Sequence, residues 1–241
     1  MSPIDPDALR RHYSAFLRPD RILLTGHSHQ AWPDAARAGL LRAFDTAAAH
    51  VDQKWAHVGA WADTLRGAVA RQLEVDAADI ALGQNAHELV TRFLSALDWD
   101  RRRHLVTTDG EFHSMRRQLR RLEETGVAVT WVKADPVDSL GERLAAAVRP
   151  DTAAVMASTV LFRTSAIVPH LSAAIDAAHR HGAQVLLDAY HAFNVVPQPR
   201  RALGADPVFI VGGGYKYAQW GEGCCWLRVP PGCTLRPVHT G

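Results

Sequence analysis

The chain has 241 residues, of which 47% are hydrophobic and 22% charged, and its formal net charge is +2. That is ample length to bury a core, with ordinary globular composition, and too little charge to argue for a nucleic-acid or membrane partner. Three cysteines, two of them adjacent (Cys224, Cys225), match neither a zinc spacing nor a disulfide framework. No metal site is expected and the compartment is read as reducing. An N-terminal apolar h-region and an apolar run long enough to cross a bilayer are both lacking, so the expectation is a cytoplasmic protein.

In chain order, a helix is predicted over 5–17 and a short strand over 21–25, followed by the polar loop Gly26-His27-Ser28-His29-Gln30. Pro33 opens an Ala-rich helix running to about His50, and a second helix covers 61–73. A short apolar run at 80–82 leads through the turn Gly83-Gln84-Asn85 into a helix over 87–97. Strands then alternate with helices. Strand 104–107 precedes a helix from about Ser114, strand 127–132 a helix near 139–148, and strand 153–158 a helix over 171–181. Strands at 184–187, 208–211 and 225–229 complete the series, and 197–207 is a turn-rich connection. Repeated β-then-α order with continuous apolar strands predicts an α/β fold: three layers, α/β/α, around a mainly parallel sheet. Ligands of such sheets sit beyond the strand C-termini.

Two of those C-termini carry chemistry. Val185-Leu-Leu-Asp188 ends in an acid, and Val211-Gly-Gly-Gly-Tyr215-Lys216 ends in glycines and a lysine. An isolated buried carboxylate is costly, so Asp188 belongs at the mouth of the sheet or in a pair. Lysine is scarce here beside arginine, and one placed among Tyr215, Tyr217 and Trp220 is partly desolvated, which favours imine chemistry. An acid and a lysine at the tips of neighbouring strands suit pyridoxal 5′-phosphate, which needs a Schiff-base lysine and an acid facing its pyridine nitrogen. The glycines are read as letting backbone approach a ligand. Asn85 and Ala86 open a helix whose N–H groups form a site for phosphate. His191 is a candidate neighbour of the ring. Phe112 or His113 offers a flat side chain to stack on it, Phe112 being preferred.

Together these residues resemble the class V aminotransferase branch of fold-type I pyridoxal-phosphate enzymes, and within it kynureninase. Asp188-Ala-Tyr-His191 is similar to that family's Asp-x-x-His, Gly214-Tyr215-Lys216-Tyr217 with Gly221-Glu-Gly223 to its lysine loop, and Leu23-Leu-Thr-Gly26-His27-Ser28 to its Leu-x-Gly-Asn-Ser loop. Cysteine desulfurases of the branch show Asp-x-x-Gln and His-Lys, so the motifs lean away from them. The resemblance implies that Lys216 binds the cofactor and moves the Cα proton. Tyr215 touches phosphate and acts as an acid, and Asp188 pairs the pyridine nitrogen with His191 beside it. Asn85 and Ala86 cradle phosphate, Phe112 stacks, and His27 and Ser28 read the substrate. It implies hydrolysis of the Cβ–Cγ bond of L-kynurenine or 3-hydroxykynurenine to an anthranilate and L-alanine, as in tryptophan catabolism, by a homodimer acting on a small amino acid. It also implies an N-terminal segment over 1–50, a cofactor-binding large domain over 51–241 and no small C-terminal domain.

Three alternatives stand beside this reading. One is another reaction of the branch, by an aminotransferase or a carbon–sulfur lyase of desulfurase type. The second is a truncated protein that binds the cofactor without turnover. The third, a nucleotide-binding domain, lacks a Walker A or Gly-x-Gly-x-x-Gly loop.

Overall fold

The computed structural model describes residues 5–197 and 207–240. The turn-rich connection read over 197–207 falls mostly outside them. The helices are α1 (Pro6–Arg10), α2 (Asp34–His50), α3 (Trp55–Leu73), α4 (Ala86–Ser95), α5 (His113–Glu123), α6 (Leu140–Ala147) and α7 (Leu171–Arg180). The strands are β1 (Ile80–Gly83), β2 (His104–Thr108), β3 (Ala128–Val132), β4 (Thr152–Ser158), β5 (Gln184–Asp188), β6 (Phe209–Gly212) and β7 (Cys225–Arg228). They form one sheet in the order β1-β7-β6-β5-β4-β2-β3. Neighbours from β3 to β6 run parallel, whereas β7 lies antiparallel to both β6 and β1.

The central strands are buried on both faces, which is why they read as unbroken apolar runs rather than as alternating ones. Successive side chains still divide between two cores. Val155, Ala157, Val185 and Leu187 point to the side where Val69 and Leu73 of α3, Leu140 and Leu144 of α6, and Leu171 and Ile175 of α7 pack. Ala154, Met156 and Leu186 point to the other side, against Leu89 and Phe93 of α4 and Met115 and Leu119 of α5. Three layers result, as the β-then-α order predicts, with one antiparallel strand added near the edge.

The N-terminal region departs from expectation. The helix expected over 5–17 is α1 alone, capped by the Asp5 carboxylate, then one 3-10 turn over Arg11–Tyr13. The segment 21–25 joins no sheet; its Ile22 and Leu24 are 86% and 89% exposed. With no partner strand, β-branched and leucine side chains do not by themselves make a ladder. The second helix starts at Trp55, six residues before the expected position.

The strand order reverses at β2, with β3 on one side and β4 on the other. Crevices at the C-terminal ends beside such a reversal are where open α/β sheets hold ligands. The chain leaves β1, β2, β5 and β6 on that edge, and each exit carries candidate site residues.

Candidate active site

The lysine sits on the exit from β6. Gly212 and Gly213 are obligatory there for packing rather than for ligand approach: a Cβ on Gly212 would run into the Trp226 ring, and one on Gly213 into the Tyr190 ring and to 2.5 Å from Cys225 Sγ. The backbone can therefore lie flat on those side chains and deliver Lys216 into the interior, where it is 4% exposed. Its Nζ lies 2.5 Å from His191 Nε2 and over the rings of Tyr190, Phe112 and Tyr215 at 5.0, 5.1 and 5.5 Å. Burial disfavours the ammonium and brings the lysine pKa down to about 8, against the opposing pull of the Asp188 charge. Burial, the Lys216 charge and His27 push His191 down to about 3, so its ring is neutral and Nε2 accepts from the amine.

Asp188 is the last residue of β5, and its Oδ1 accepts the Tyr190 N–H at 2.8 Å. Burial raises its pKa, and the Tyr190 N–H and Lys216 work the other way. Tyr190 and Tyr215 are also raised, chiefly by burial, so both remain phenols well above neutral pH.

Across the cavity, α4 begins at Asn85, whose Oδ1 accepts the Glu88 N–H at 2.8 Å while Glu88 Oε2 accepts the Gln84 N–H at 2.9 Å. This reciprocal cap satisfies the Gln84 and Glu88 N–H groups, and Ala86 and His87 of the first turn line the cavity. Replacing Asn85 with alanine is expected to cost about 1 kcal/mol of unfolding free energy, read by urea titration of the protein without cofactor. A loss below about 0.3 kcal/mol would show that Glu88 holds the helix start alone.

One cavity of about 260 Å³ is lined by Asn85, Ala86, Phe112, Asp188, His191, Tyr215 and Lys216, together with His87, Ser114 and Tyr190. Every cofactor-site candidate is thus gathered in one place. Of the two flat side chains, Phe112 lines this cavity and His113 faces the arginine-rich surface of α5. The two loop candidates separate. His27 stacks on His191 with ring centroids 4.5 Å apart; its Nε2 is 3.0 Å from the Phe162 carbonyl and its Nδ1 3.2 Å from the Tyr217 hydroxyl. A carbonyl only accepts, so Nε2 carries the proton and Tyr217 donates to Nδ1. Ser28 is exposed and donates back to the Thr25 carbonyl at 3.1 Å, away from the cavity.

Tyr190, inside the Asp188–His191 segment, was the most legible of the unpredicted lining residues. His87 and Ser114 carry no signal beyond sitting next to predicted ones.

Residues 46–241 match the class-V aminotransferase family. The chain belongs to that family. Pyridoxal 5′-phosphate is the cofactor that goes with this membership. The class-V chain is 30% identical over 146 residues to a mitochondrial cysteine desulfurase of Arthroderma benhamiae, a match covering 58% of this chain and 28% of that one. Among solved structures it superposes on a mutant of C-DES with glycine covalently linked to the PLP cofactor (TM-score 0.85, 18% identity, 96% of this chain and 62% of that). It also superposes on the cystine C–S lyase C-DES with its product cysteine persulfide (TM-score 0.79, 20% identity, 89% and 59%). A third is the apo cysteine desulfurase of Thermococcus onnurineus NA1 (TM-score 0.78, 17% identity, 100% and 62%). The chain spans about 60% of these solved chains and under a third of the fungal relative. The solved structures establish the fold, a fold-type I arrangement. The resemblance to kynureninase holds at the level of class V and no finer, and the relatives found bear the names of desulfurases and a C–S lyase, from which the motifs lean away.

The donor set fits the cofactor. A buried amine with a depressed pKa suits its aldehyde, a helix N-terminus its phosphate, a strand-tip carboxylate its ring nitrogen, and an aromatic wall its ring face. No helix among the described residues is long and apolar enough to cross a membrane, and no cluster of metal-ligating side chains occurs among them.

Proposed function

We propose that this chain forms the cofactor-binding part of a pyridoxal-phosphate enzyme that breaks the carbon–sulfur bond of a cysteine-type amino acid. The observation that carries the reading is Lys216, a buried amine beside a neutral imidazole in the same cavity as Asp188. The named functions of the relatives support sulfur as the leaving atom.

When bound, the cofactor supplies an electron sink for charge developing at the amino acid's Cα. The rest falls to the chain. With a pKa of about 8, Lys216 is neutral in roughly a tenth of molecules at pH 7, against under a thousandth for a free lysine. Lys216 would be the residue that holds the cofactor's aldehyde, and as a free amine it would be the group that takes the proton from Cα. His191 accepts from Nζ and aims its lone pair. Asp188 would face the ring nitrogen, Phe112 would cover the ring face, and the start of α4 at Asn85, Ala86 and His87 would hold the phosphate. The Tyr215 and Tyr190 phenols donate to phosphate or to the leaving atom. A sulfur leaving group suits such a site because a thiol's pKa is only about 8.5, so it departs without a strong acid. His27 orients His191. The homodimer belongs to this reading; α2, which buries none of its side chains and exposes Leu40, Leu41 and Phe44, suits a second copy.

A second reading, kynurenine cleavage between Cβ and Cγ, is favoured by His191, which stands in the Asp-x-x-His pattern beside Lys216. The test supplies the reconstituted chain with L-cysteine, L-cystine and L-kynurenine, and follows sulfide or persulfide, anthranilate, and the spectrum of the bound cofactor. Sulfur release without anthranilate is expected. Anthranilate alone would replace the first reading with the second. A spectral response to amino acids without product would leave a binding protein that does not turn over.

A further inference from the structure

Glu111 has no part in the roles above, yet it is 1% exposed. A carboxylate at that depth needs partners. Its Oε1 accepts the Thr108 hydroxyl at 2.6 Å and the Ser158 N–H at 3.1 Å, and its Oε2 accepts the Ser158 hydroxyl at 2.6 Å. Thr108 ends β2, Ser158 ends β4, and these strands are neighbours in the sheet at the reversal in strand order. Ser158 is paired in register with Asp188 on β5. Glu111 also directly precedes Phe112. One carboxylate therefore ties the turn bearing the aromatic wall to the strand tip beside the acid.

We propose that Glu111 is a positioning residue of the cofactor site, holding Phe112 at the ring face and keeping a second negative charge behind Asp188. The inference rests on the pyridoxal-phosphate reading of the cavity. A neutral amide could make the same tie, so the tie alone does not call for an acid. The acid is costly: burial, and more weakly the Asp188 charge, push its carboxyl up to about 7. The titratable group facing it is Asp188; Thr108 and Ser158 contribute hydroxyl and N–H groups only. What the acid adds over an amide is negative charge beside Asp188, the carboxylate whose own charge supports the Lys216 ammonium.

The test loads the 241-residue chain and its Glu111→Gln and Glu111→Ala variants with pyridoxal phosphate. It records the absorption band retained through gel filtration, the circular dichroism of that band, and the pH midpoint of its spectral change. In Glu111→Gln the amide oxygen still accepts from Thr108 and the Ser158 N–H. The induced dichroism should keep its sign and most of its amplitude, while the midpoint falls by about 0.5 pH unit or more as the negative charge is lost. In Glu111→Ala the tie is gone, and cofactor affinity should drop about tenfold with the dichroism reduced by more than half. An unshifted midpoint in Glu111→Gln overturns the inference, and that result decides the matter if Glu111→Ala fails to fold. A wild-type chain that retains no band overturns the cofactor reading and this inference together, whereas a wild-type band with an unshifted Glu111→Gln midpoint overturns this inference alone.

Discussion

Lys216→Ala is expected to abolish covalent retention of pyridoxal phosphate. The wild-type chain, reduced with borohydride after loading, should carry the cofactor's mass on the peptide containing Lys216, and the variant should carry none. Turnover should fall at least a thousandfold, since on the proposed reading Lys216 both attaches the cofactor and moves the proton, and losing both costs on the order of 4 kcal/mol or more of barrier. The pH dependence has a definite sign. Only the neutral amine attacks the aldehyde, so the rate of cofactor uptake should rise as pH increases through about 8 and level off above it, well below the range of an ordinary lysine. Uptake that climbs without a plateau to pH 10 would mean that the lysine is not desolvated. A mass adduct on another lysine would remove Lys216 from the role altogether.

The same depressed pKa makes a stability statement. The folded chain loses the Lys216 proton near pH 8 and the unfolded chain near 10.5, so the cost of burying the charge is fully present below pH 8 and disappears as pH rises to 10.5. Replacing Lys216 with methionine, which fills similar space, should therefore raise the unfolding free energy of the cofactor-free protein at pH 7 by about 2 kcal/mol, an advantage that shrinks at higher pH.

Asp188→Asn is expected to leave the fold and cofactor uptake in place while turnover falls at least a hundredfold, about 3 kcal/mol. The asparagine oxygen still accepts the Tyr190 N–H, so the strand tip keeps its shape. On the proposed reading, what disappears is the charge opposite the ring nitrogen, and with it the stabilisation of charge at Cα. A spectroscopic companion follows from geometry. The Asp188 charge supports the Lys216 ammonium, so the uptake profile of Asp188→Asn should shift to lower pH than that of the wild type. Turnover within threefold of wild type would place the ring nitrogen elsewhere.

The elements legible from local pattern were those whose partners make little difference to the pattern. Val155–Ser158 and Val185–Asp188 are apolar because both faces of the sheet are covered, and that requirement shows in a single strand. The helices over α4 to α7 advertise one apolar face each. Ile22 and Leu24 show the limit: the same apolar signal, without a neighbouring strand, stays exposed. The antiparallel direction of β7 was not legible, because it is set by pairing with β6 and with β1, more than 140 residues earlier in the sequence.

The sequence by itself determined the residue types of the site and their order: an acid and a lysine closing two apolar runs, an asparagine opening a helix, and aromatic side chains between them. Those follow from what a strand or helix end must carry to face a ligand, and they are local. The tertiary structure alone decided which neighbours share the cavity. It put Phe112 inside and His113 outside, turned Ser28 to solvent while His27 stacked on His191, and buried Glu111 between two strand tips. Each of those outcomes depends on side-chain direction at the end of an element and on what a distant segment places opposite it. Sequence spacing specifies neither.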